Sequence, residues 1–495
     1  MVRHYRSLRE HIEALRELGE LSEVDRPVDW NLEIGAITRR ICETGGPAVL
    51  FNHIKGIDGF RVLGAPAAAS ARTDQPLARV ATSIGLPPGA GGLEIVDALA
   101  RAHDRTPIPP VRAATAPCKE NILTGAAVDL MRLPAPMIHE GDGGRFLNTW
   151  GTTVTRTPEG DWVNWAVSRC MLRDARSMVG PVGASKHLGM MLQAWRAVGQ
   201  PMPFALSMGH DPVIPFVAGM PIRDGVNEAD FVGGYLGEPL EVVRCETVDL
   251  DVPASSEIVI EGHVSLDEDA SEGPMAEFPG YLFREHYRCP VFNVSAITWR
   301  DNAILPVVSC GMPPEENHTC WGMAIAATVL AELRHSNWPV TSCYLPFDAA
   351  CHLVVVTVPA DYLKRSAHKT NATFCKAMGE FVFSTRGGAI VPRLMVVRDD
   401  VDPTSARDVL WALMTRCHPG AGEINFAHLA ANPRGAFLRP DEKAAMFTTK
   451  SVLDCLPPED WTAETAPVRA SFDLVYPAEL KARILRDWKT GYGLP

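Results

Sequence analysis

The sequence predicts a mixed α/β (α+β) protein of three domains and a helical end, and three observations predict it. Helical hydrophobic periodicity alternates with short apolar runs at both ends of the chain, the middle reads as strands and turns, and 495 residues exceed the roughly 100–200 of an ordinary domain. The expected parts are an N-terminal α/β domain over 1–115, a central split β-barrel-like domain over 116–315, a C-terminal α/β domain over 316–470 and a terminal helix over 471–495. Hydrophobic residues make up 46% and charged residues 21%, the balance of a chain that buries a core rather than staying disordered.

Leu8, Ile12, Leu15 and Leu18 share a helical face, Ser7 with Glu10 reads as a capping box, and Gly19 is a stop, so a helix opens the chain. Ile34, Ile37 and Ile41 mark a second helix, and Gly45, Gly46 and Pro47 lead into the apolar run Ala48 to Phe51, a buried strand. Pro107, Pro109, Pro110 and the small residues up to Pro117 predict a linker, with the boundary between Pro107 and Ala126. Beyond it Thr149 to Thr157, Trp162 to Leu172, Ser256 to Ser265 and Cys289 to Trp299 read as strands of a barrel or curled sheet. A helix over Ser185 to Val198 interrupts them, with Leu188, Leu192 and Trp195 on one face. From His318, a helix over Ala324 to Leu333 and the strand Leu353 to Val358 restore the α/β alternation. Pro477 starts the last helix, with Leu480, Ile484 and Trp488 on one stripe of the kind that reaches a partner subunit.

Forty-seven basic against 59 acidic residues leave a net charge of −12, which offers no overall basic field to nucleic acid or an anionic membrane. No apolar run approaches the ~20 residues of a bilayer span and Met1 to Asp25 lacks the apolar core of a signal peptide, so a cytoplasmic protein is expected. Twelve cysteines without a C-x-x-C pair predict buried thiols rather than disulfides or a zinc ribbon. The phosphate-loop, dinucleotide, zincin and serine-hydrolase signatures are missing, which takes support from those chemistries.

What remains is a set of polar residues within apolar text, costly unless paired or used. Arg169 is the only charge in the strand Trp162 to Leu172, and it needs an anionic partner: a nearby carboxylate at a sheet edge, or a substrate. Strict alternation puts Asn164 and Arg169 on opposite faces, so a single site using both needs a bulge or a ligand that wraps the strand. Glu272 and Glu277 flank a Gly-Pro turn; they read either as a solvated acidic loop continuing from Asp267, Glu268 and Asp269, or as the paired carboxylates of proton-transfer chemistry. His187, in the first turn of its helix, and Glu241, in a strand, are structural when taken singly. With Asn164 they make a plausible oxygen and nitrogen donor set for Mn²⁺ or Mg²⁺ beside a phosphate.

Six blocks in order, N-W-A-V-S-R (164–169), S-K-H-L (185–188), L-E-V-V-R-C-E-T (240–247), S-E-I-V-I-E-G (256–262), E-G-P-M-A-E-F-P-G-Y (272–281) and P-P-E-E-N-H-T (313–319), resemble the UbiD-like carboxy-lyases that use prenylated FMN. The resemblance spans nearly the whole chain and is strongest to the ferulic acid and pyrrole-2-carboxylate decarboxylase branch. It implies a central cofactor domain, a C-terminal domain for oligomerisation, a homodimer or larger assembly, and a flavin prenyltransferase as cofactor supplier. It implies that Asn164, His187 and Glu241 hold Mn²⁺ at the cofactor phosphate, and that Ser168, Arg169, Lys186, Met220 and Arg386 also meet the cofactor. Main-chain oxygens of Trp162, Val217 and Met220 would correspond to a K⁺ site, although Ala218 lacks the hydroxyl of ferulic-type members. Arg386 stands where those members have Lys, and a planar guanidinium is not equivalent to an ammonium.

Arg169, Glu272 and Glu277 would then be the catalytic network: Arg169 binding the carboxylate, Glu272 keeping Arg169 in position, and Glu277 protonating the carbon that loses CO₂. The implied reaction is reversible, non-oxidative decarboxylation of an aromatic, heteroaromatic or α,β-unsaturated acid. Asn317 and Trp321 are expected in the substrate pocket, where the indole stands in place of a smaller aliphatic group and suits a flat pyrrole, indole or furan carboxylate. An FMN oxidoreductase sharing the barrel and a non-catalytic flavin-binding or assembly subunit are the competing readings. Neither explains two acids and an arginine in this order.

Overall fold

The computed structural model of the chain describes residues 2–462 and 464–495, and it divides into a large unit, Met1–Cys455, and a small one, Leu456–Pro495. The opening helix is Leu8–Glu17. Ser7 caps it by accepting from the Glu10 amide, while the Glu10 carboxylate reaches back to the Arg6 amide rather than to Ser7. Leu8, Ile12 and Leu15 bury against Ala48, Leu50, Leu63 and Ile304. The second helix, Glu33–Thr44, ends at Gly45 with φ 65°, a left-handed position that glycine takes at little cost, and the strand Ala48–Phe51 is buried throughout.

The first sheet runs Leu21–Val24, Ala48–Phe51, Phe60–Gly64, Ala303–Val307. Its fourth strand comes from the far end of the central region, with Leu305 in parallel register opposite Val62, so the expected edge at 115/116 does not cut the fold cleanly. The expected linker is also partly built into sheets: Val111–Arg112 pairs with Glu241–Arg244, and Asn121–Thr124 pairs with Tyr287–Trp299. Proline excludes helix there, but the extended backbone it favours is what an edge strand needs.

The central sheet follows the path Phe146–Leu147, Cys170–Leu172, Ser177–Val179, Tyr287–Trp299, Ile258–Glu272, Met202–Met208, Gly151–Arg156, Val163–Ala166, with antiparallel neighbours. Strands six places apart on it would lie about 29 Å from each other in a flat sheet. Yet Val163–Ala166 connects to Cys170–Leu172 through Val167, Ser168 and Arg169 alone, a reach of about 14 Å at most. The sheet must therefore curl until its ends face each other across a seam. Asn148, at φ 58°, stitches that seam with its Nδ2 donating to Ser168 O at 2.7 Å. A Cβ at Gly151 would fall 2.3 Å from Asn148 Oδ1, so glycine there makes the stitch possible. The strand expected over Trp162 to Leu172 is thus two strands, broken where the barrel is split.

Inside the curl, Phe204 and Phe292 meet edge to face at 4.9 Å among Leu206, Ile258, Ile260 and Val264. The helix His187–Ala197 lays Leu188, Met191, Leu192 and Trp195 on the same core, each large apolar side chain contributing about 1.5–3 kcal/mol by its burial. A further layer is a five-stranded sheet in the order Ser342–Tyr344, Leu353–Val358, Arg393–Arg398, Phe447–Asp454, Glu423–Ala430, accompanied by the helices Met323–His335, Asn371–Ser384 and Ala406–Arg416. In the small unit Pro477 caps the helix Ala478–Asp487, and Trp488 Nε1 donates to Pro495 O at 2.7 Å. All twelve cysteines are free, and only Cys310 and Cys417 are partly exposed. Among the described residues no helix is long and apolar enough to cross a membrane.

Candidate active site

The seam resolves the parity problem posed by Asn164 and Arg169. Because Val167, Ser168 and Arg169 belong to neither strand, the alternation is interrupted, and the two side chains are not held to opposite faces of one ribbon. Asn164 is buried, and Arg169 is largely enclosed beneath Glu272 and Glu277. Arg169 Nε donates to Glu272 Oε1 at 2.9 Å, and Nη1 donates to Glu277 Oε1 at 2.5 Å. Burial works against the guanidinium charge, but Glu277 and Glu272 outweigh it and raise its pKa further.

Glu272 ends the long strand Ile258–Glu272 and Glu277 lies in the two-residue strand Ala276–Glu277, which pairs with Tyr281–Leu282. Both acids are buried, whereas Asp267, Glu268 and Asp269 are exposed, so the two acids are not a continuation of a solvated loop. One partner escaped the sequence reading: Arg434 Nε lies 2.9 Å from Glu277 Oε1. It sits in an Asn-Pro-Arg-Gly turn, where no periodicity marks a residue as buried.

A second cluster forms around Asn164. Its Nδ2 donates to Glu228 Oε1 at 2.9 Å and lies 3.3 Å from His187 Nδ1, and His187 Nδ1 is 3.4 Å from the same carboxylate oxygen. The Trp165 amide donates to Glu228 Oε2 at 2.8 Å. Burial lifts the Glu228 carboxyl above the ordinary range, against the pull of His187. Glu241, the expected third member, is instead exposed at the start of Glu241–Arg244, in a separate three-stranded sheet opposite Val111. Glu241 and Arg244, at the two ends of the strand, are exposed while Val242 and Val243 between them are buried. The helix Glu228–Leu236 offered the missed signal, since Glu228 shares a face with Phe231, Val232 and Tyr235 at i+3, i+4 and i+7.

Asn164 Oδ1 is buried without a hydrogen-bond partner, which suits a cation ligand. Among the described residues no three His, Cys, Asp or Glu side chains are arranged to hold a metal, so the donor set here is an amide, an imidazole and one carboxylate. His187 Nε2 and Arg386 Nη1 both reach Asp224 Oδ1, at 3.1 and 2.5 Å, and Trp162 packs edge-on to the His187 ring at 4.8 Å. Lys186 is the N-cap of the His187 helix, and Ser168 Oγ is 3.4 Å from Pro181 O. The carbonyls of Trp162, Val217 and Met220 each accept a backbone hydrogen bond, from Thr157, Met220 and Ile222 respectively.

Asn317 and Trp321 lie in a wide-turned π-helical segment, Asn317–Gly322, a geometry found often at functional sites. Trp321 packs edge to face on Phe278, next to Glu277, at 4.9 Å. The Glu315 amide donates to His318 Nδ1, and His318 Nε2 is 2.9 Å from Phe278 O, a pairing that needs the neutral ring; burial holds its pKa down to about 4. Asn317 Nδ2 contacts both oxygens of Glu315 at 3.1 Å and Cys310 Sγ at 3.2 Å.

Comparison with known proteins places this geometry in a class. Residues 12–99, 110–313 and 318–455 match, in turn, the N-terminal, Rift-related and C-terminal domains of 3-octaprenyl-4-hydroxybenzoate carboxy-lyase, UbiD. The chain belongs to the UbiD family and is a carboxy-lyase. It is 41% identical over 488 residues to the pyrrole-2-carboxylic acid decarboxylase of Pseudomonas aeruginosa, covering 98% of both chains, and 35% identical over 489 residues to ferulic acid decarboxylase 1 of Saccharomyces cerevisiae, covering 97% of both. Its fold is similar to the vanillic acid decarboxylase of Sedimentibacter hydroxybenzoicus in its closed form, with a TM-score of 0.84, 26% identity and coverage of 99% and 100%. It is also similar to an evolved dimeric form of the UbiD-class enzyme HmfF from Pelotomaculum thermopropionicum in complex with prFMN, with a TM-score of 0.77, 25% identity and coverage of 94% and 98%.

Proposed function

We propose that the chain carries out reversible, non-oxidative decarboxylation of a flat heteroaromatic acid of the pyrrole, indole or furan type, with prenylated FMN as cofactor. The observation that carries this reading is the buried Arg169 held between Glu272 and Glu277. Glu272 takes Nε and Nη2, at 2.9 and 3.4 Å, and so sets the plane of a guanidinium that presents its remaining N–H groups to a substrate carboxylate. Glu277 holds the proton that goes to the carbon losing CO₂, and in the reverse direction takes it back. When bound, the prenylated flavin supplies the covalent electron sink that loosens the carboxylate.

Asn164 Oδ1, a ring nitrogen of His187 and Glu228 would hold Mn²⁺ at the cofactor phosphate, with Ser168, Lys186, Met220 and Arg386 around the cofactor. The residues suit K⁺ less well, since Ala218 brings no hydroxyl, so no role is assigned to that ion. With Nδ2 turned to Glu315, Asn317 offers Oδ1 to a ring N–H, and Trp321 narrows the pocket to flat rings. Exposed Leu410 and Met414 on the helix Ala406–Arg416 fit a homodimer or larger assembly.

The test is protein co-expressed with a flavin prenyltransferase, the mass of its released cofactor, and CO₂ release from pyrrole, indole, furan, cinnamic and benzoic acids. Prenylated flavin with turnover of a heteroaromatic acid is the expected result. Plain FMN or no flavin, with no acid consumed, would overturn it.

A further inference from the structure

A second cation at Glu277 arrives from a distant part of the chain. Arg434 lies between the strand Glu423–Ala430 and the helix Pro440–Ala445, in a turn where its amide donates to Asn432 Oδ1 at 3.1 Å. Its Cζ sits 4.7 Å from the centroid of the Tyr287 ring, and Tyr287 is the residue opposite Glu272 in the sheet. Its Nε is 2.9 Å from Glu277 Oε1, the oxygen that Arg169 Nη1 already contacts. Among the described residues no hydrogen bond reaches Glu277 Oε2. Farther along the segment, Lys443 donates to Glu285 Oε1 at 2.7 Å and lies 5.2 Å from the Phe283 ring centroid.

We propose that Arg434 is a positioning residue: it pins Oε1 of Glu277 so that Oε2 is the oxygen that faces the reacting carbon and carries the proton. The inference rests on the reading of Glu277 as general acid. The terminal torsion of a glutamate is broad and nearly two-fold, so one contact leaves the two oxygens free to exchange places. With guanidiniums from two different layers on Oε1, the exchange has to separate both pairs. The ring of Tyr287 gives the planar Arg434 head a face to rest on, which fixes the direction of approach.

Wild type, Arg434→Gln, Arg434→Lys, Lys443→Ala and Glu277→Gln, each loaded with prenylated FMN, would be compared by flavin content, thermal midpoint, kcat and KM on the acid the wild type consumes. Arg434→Gln should lower kcat about 10–100-fold with little change in KM or flavin content, the scale of a misplaced catalytic group. Arg434→Lys, which keeps a cation within reach, should stay above Arg434→Gln, and Lys443→Ala should keep most of the wild-type kcat. Wild-type kcat in Arg434→Gln, with Glu277→Gln inactive, overturns the positioning role and leaves the acid in place. Wild-type kcat in Glu277→Gln removes the underlying reading instead. A loss in Lys443→Ala as deep as in Arg434→Gln assigns the effect to docking of the segment and overturns the role of Arg434. Should Arg434→Gln not fold, Tyr287→Leu reads the same effect: a kcat loss of about 3–10-fold supports it, and wild-type kcat overturns it.

Discussion

At the Arg169 end of the seam the charges satisfy one another: a guanidinium bonds two carboxylates, and a second guanidinium joins from the C-terminal layer. At the Asn164 end an amide oxygen is buried with nothing to bond, next to an imidazole and a carboxylate that contact each other at 3.4 Å. The first group is preorganised by the protein alone, and the second, on the proposed reading, is a donor set that a ligand would complete. Arginine cannot give up its proton and therefore requires anions at once, whereas amide, imidazole and a lifted carboxyl tolerate waiting. Damage at the first end should thus stop chemistry with the cofactor still held, and damage at the second should lose the cofactor itself.

The largest effect expected is at the first end. Glu277→Gln keeps the shape but removes the acid, and should cut turnover by about 10²–10⁴-fold with flavin content unchanged, measured as CO₂ release per bound flavin. Flavin lost together with activity would erase the contrast between the two ends. Next, Glu228→Ala should lower bound manganese and retained flavin by about 10–100-fold in affinity, while Glu241→Gln leaves both alone. Elemental analysis and flavin spectra of the two variants decide the assignment, and the reverse pattern would restore Glu241.

Substrate choice sharpens the picture at smaller scale. Trp321→Ile should move preference toward cinnamate-like acids by about 10–200-fold in relative kcat/KM, and an unchanged ranking across the acid panel would end that role for the indole. The smallest effect concerns stability. Burial pushes both Glu315 and Glu316 up to about 7, with Glu315 adding to the rise at Glu316. Because these carboxyls bind protons more tightly folded than unfolded, their contribution is complete below about pH 4.5 and is lost as pH rises through about 7. Glu316→Gln should flatten that fall by about 1–3 kcal/mol, read from denaturant midpoints between pH 5 and 8. A pH dependence identical to the wild type would count against it.

Much of this was legible in the chain. Leu8, Ile12 and Leu15 announced a helix, the all-apolar runs Ala48–Phe51 and Leu353–Val358 announced buried strands, and a lone Arg169 among apolar residues announced carboxylate partners. Glu228 was legible too, from helical phase, but Glu241 drew the assignment because local pattern says which face a residue takes and not which other element that face meets. Arg434 left no local sign, since a turn residue is buried only by what folds over it.

By itself the sequence determined the periodicities, the turns and the residue types able to pair, since these depend on bonds and neighbours a few residues away. Only the tertiary structure decided that Asn148 would stitch a split barrel, that Ala303–Val307 would complete the first sheet, and that Glu228 and Arg434 would meet partners 64 and 157 positions away. Such contacts are fixed by long-range closure of the chain, whose cost and reward no short window of sequence contains.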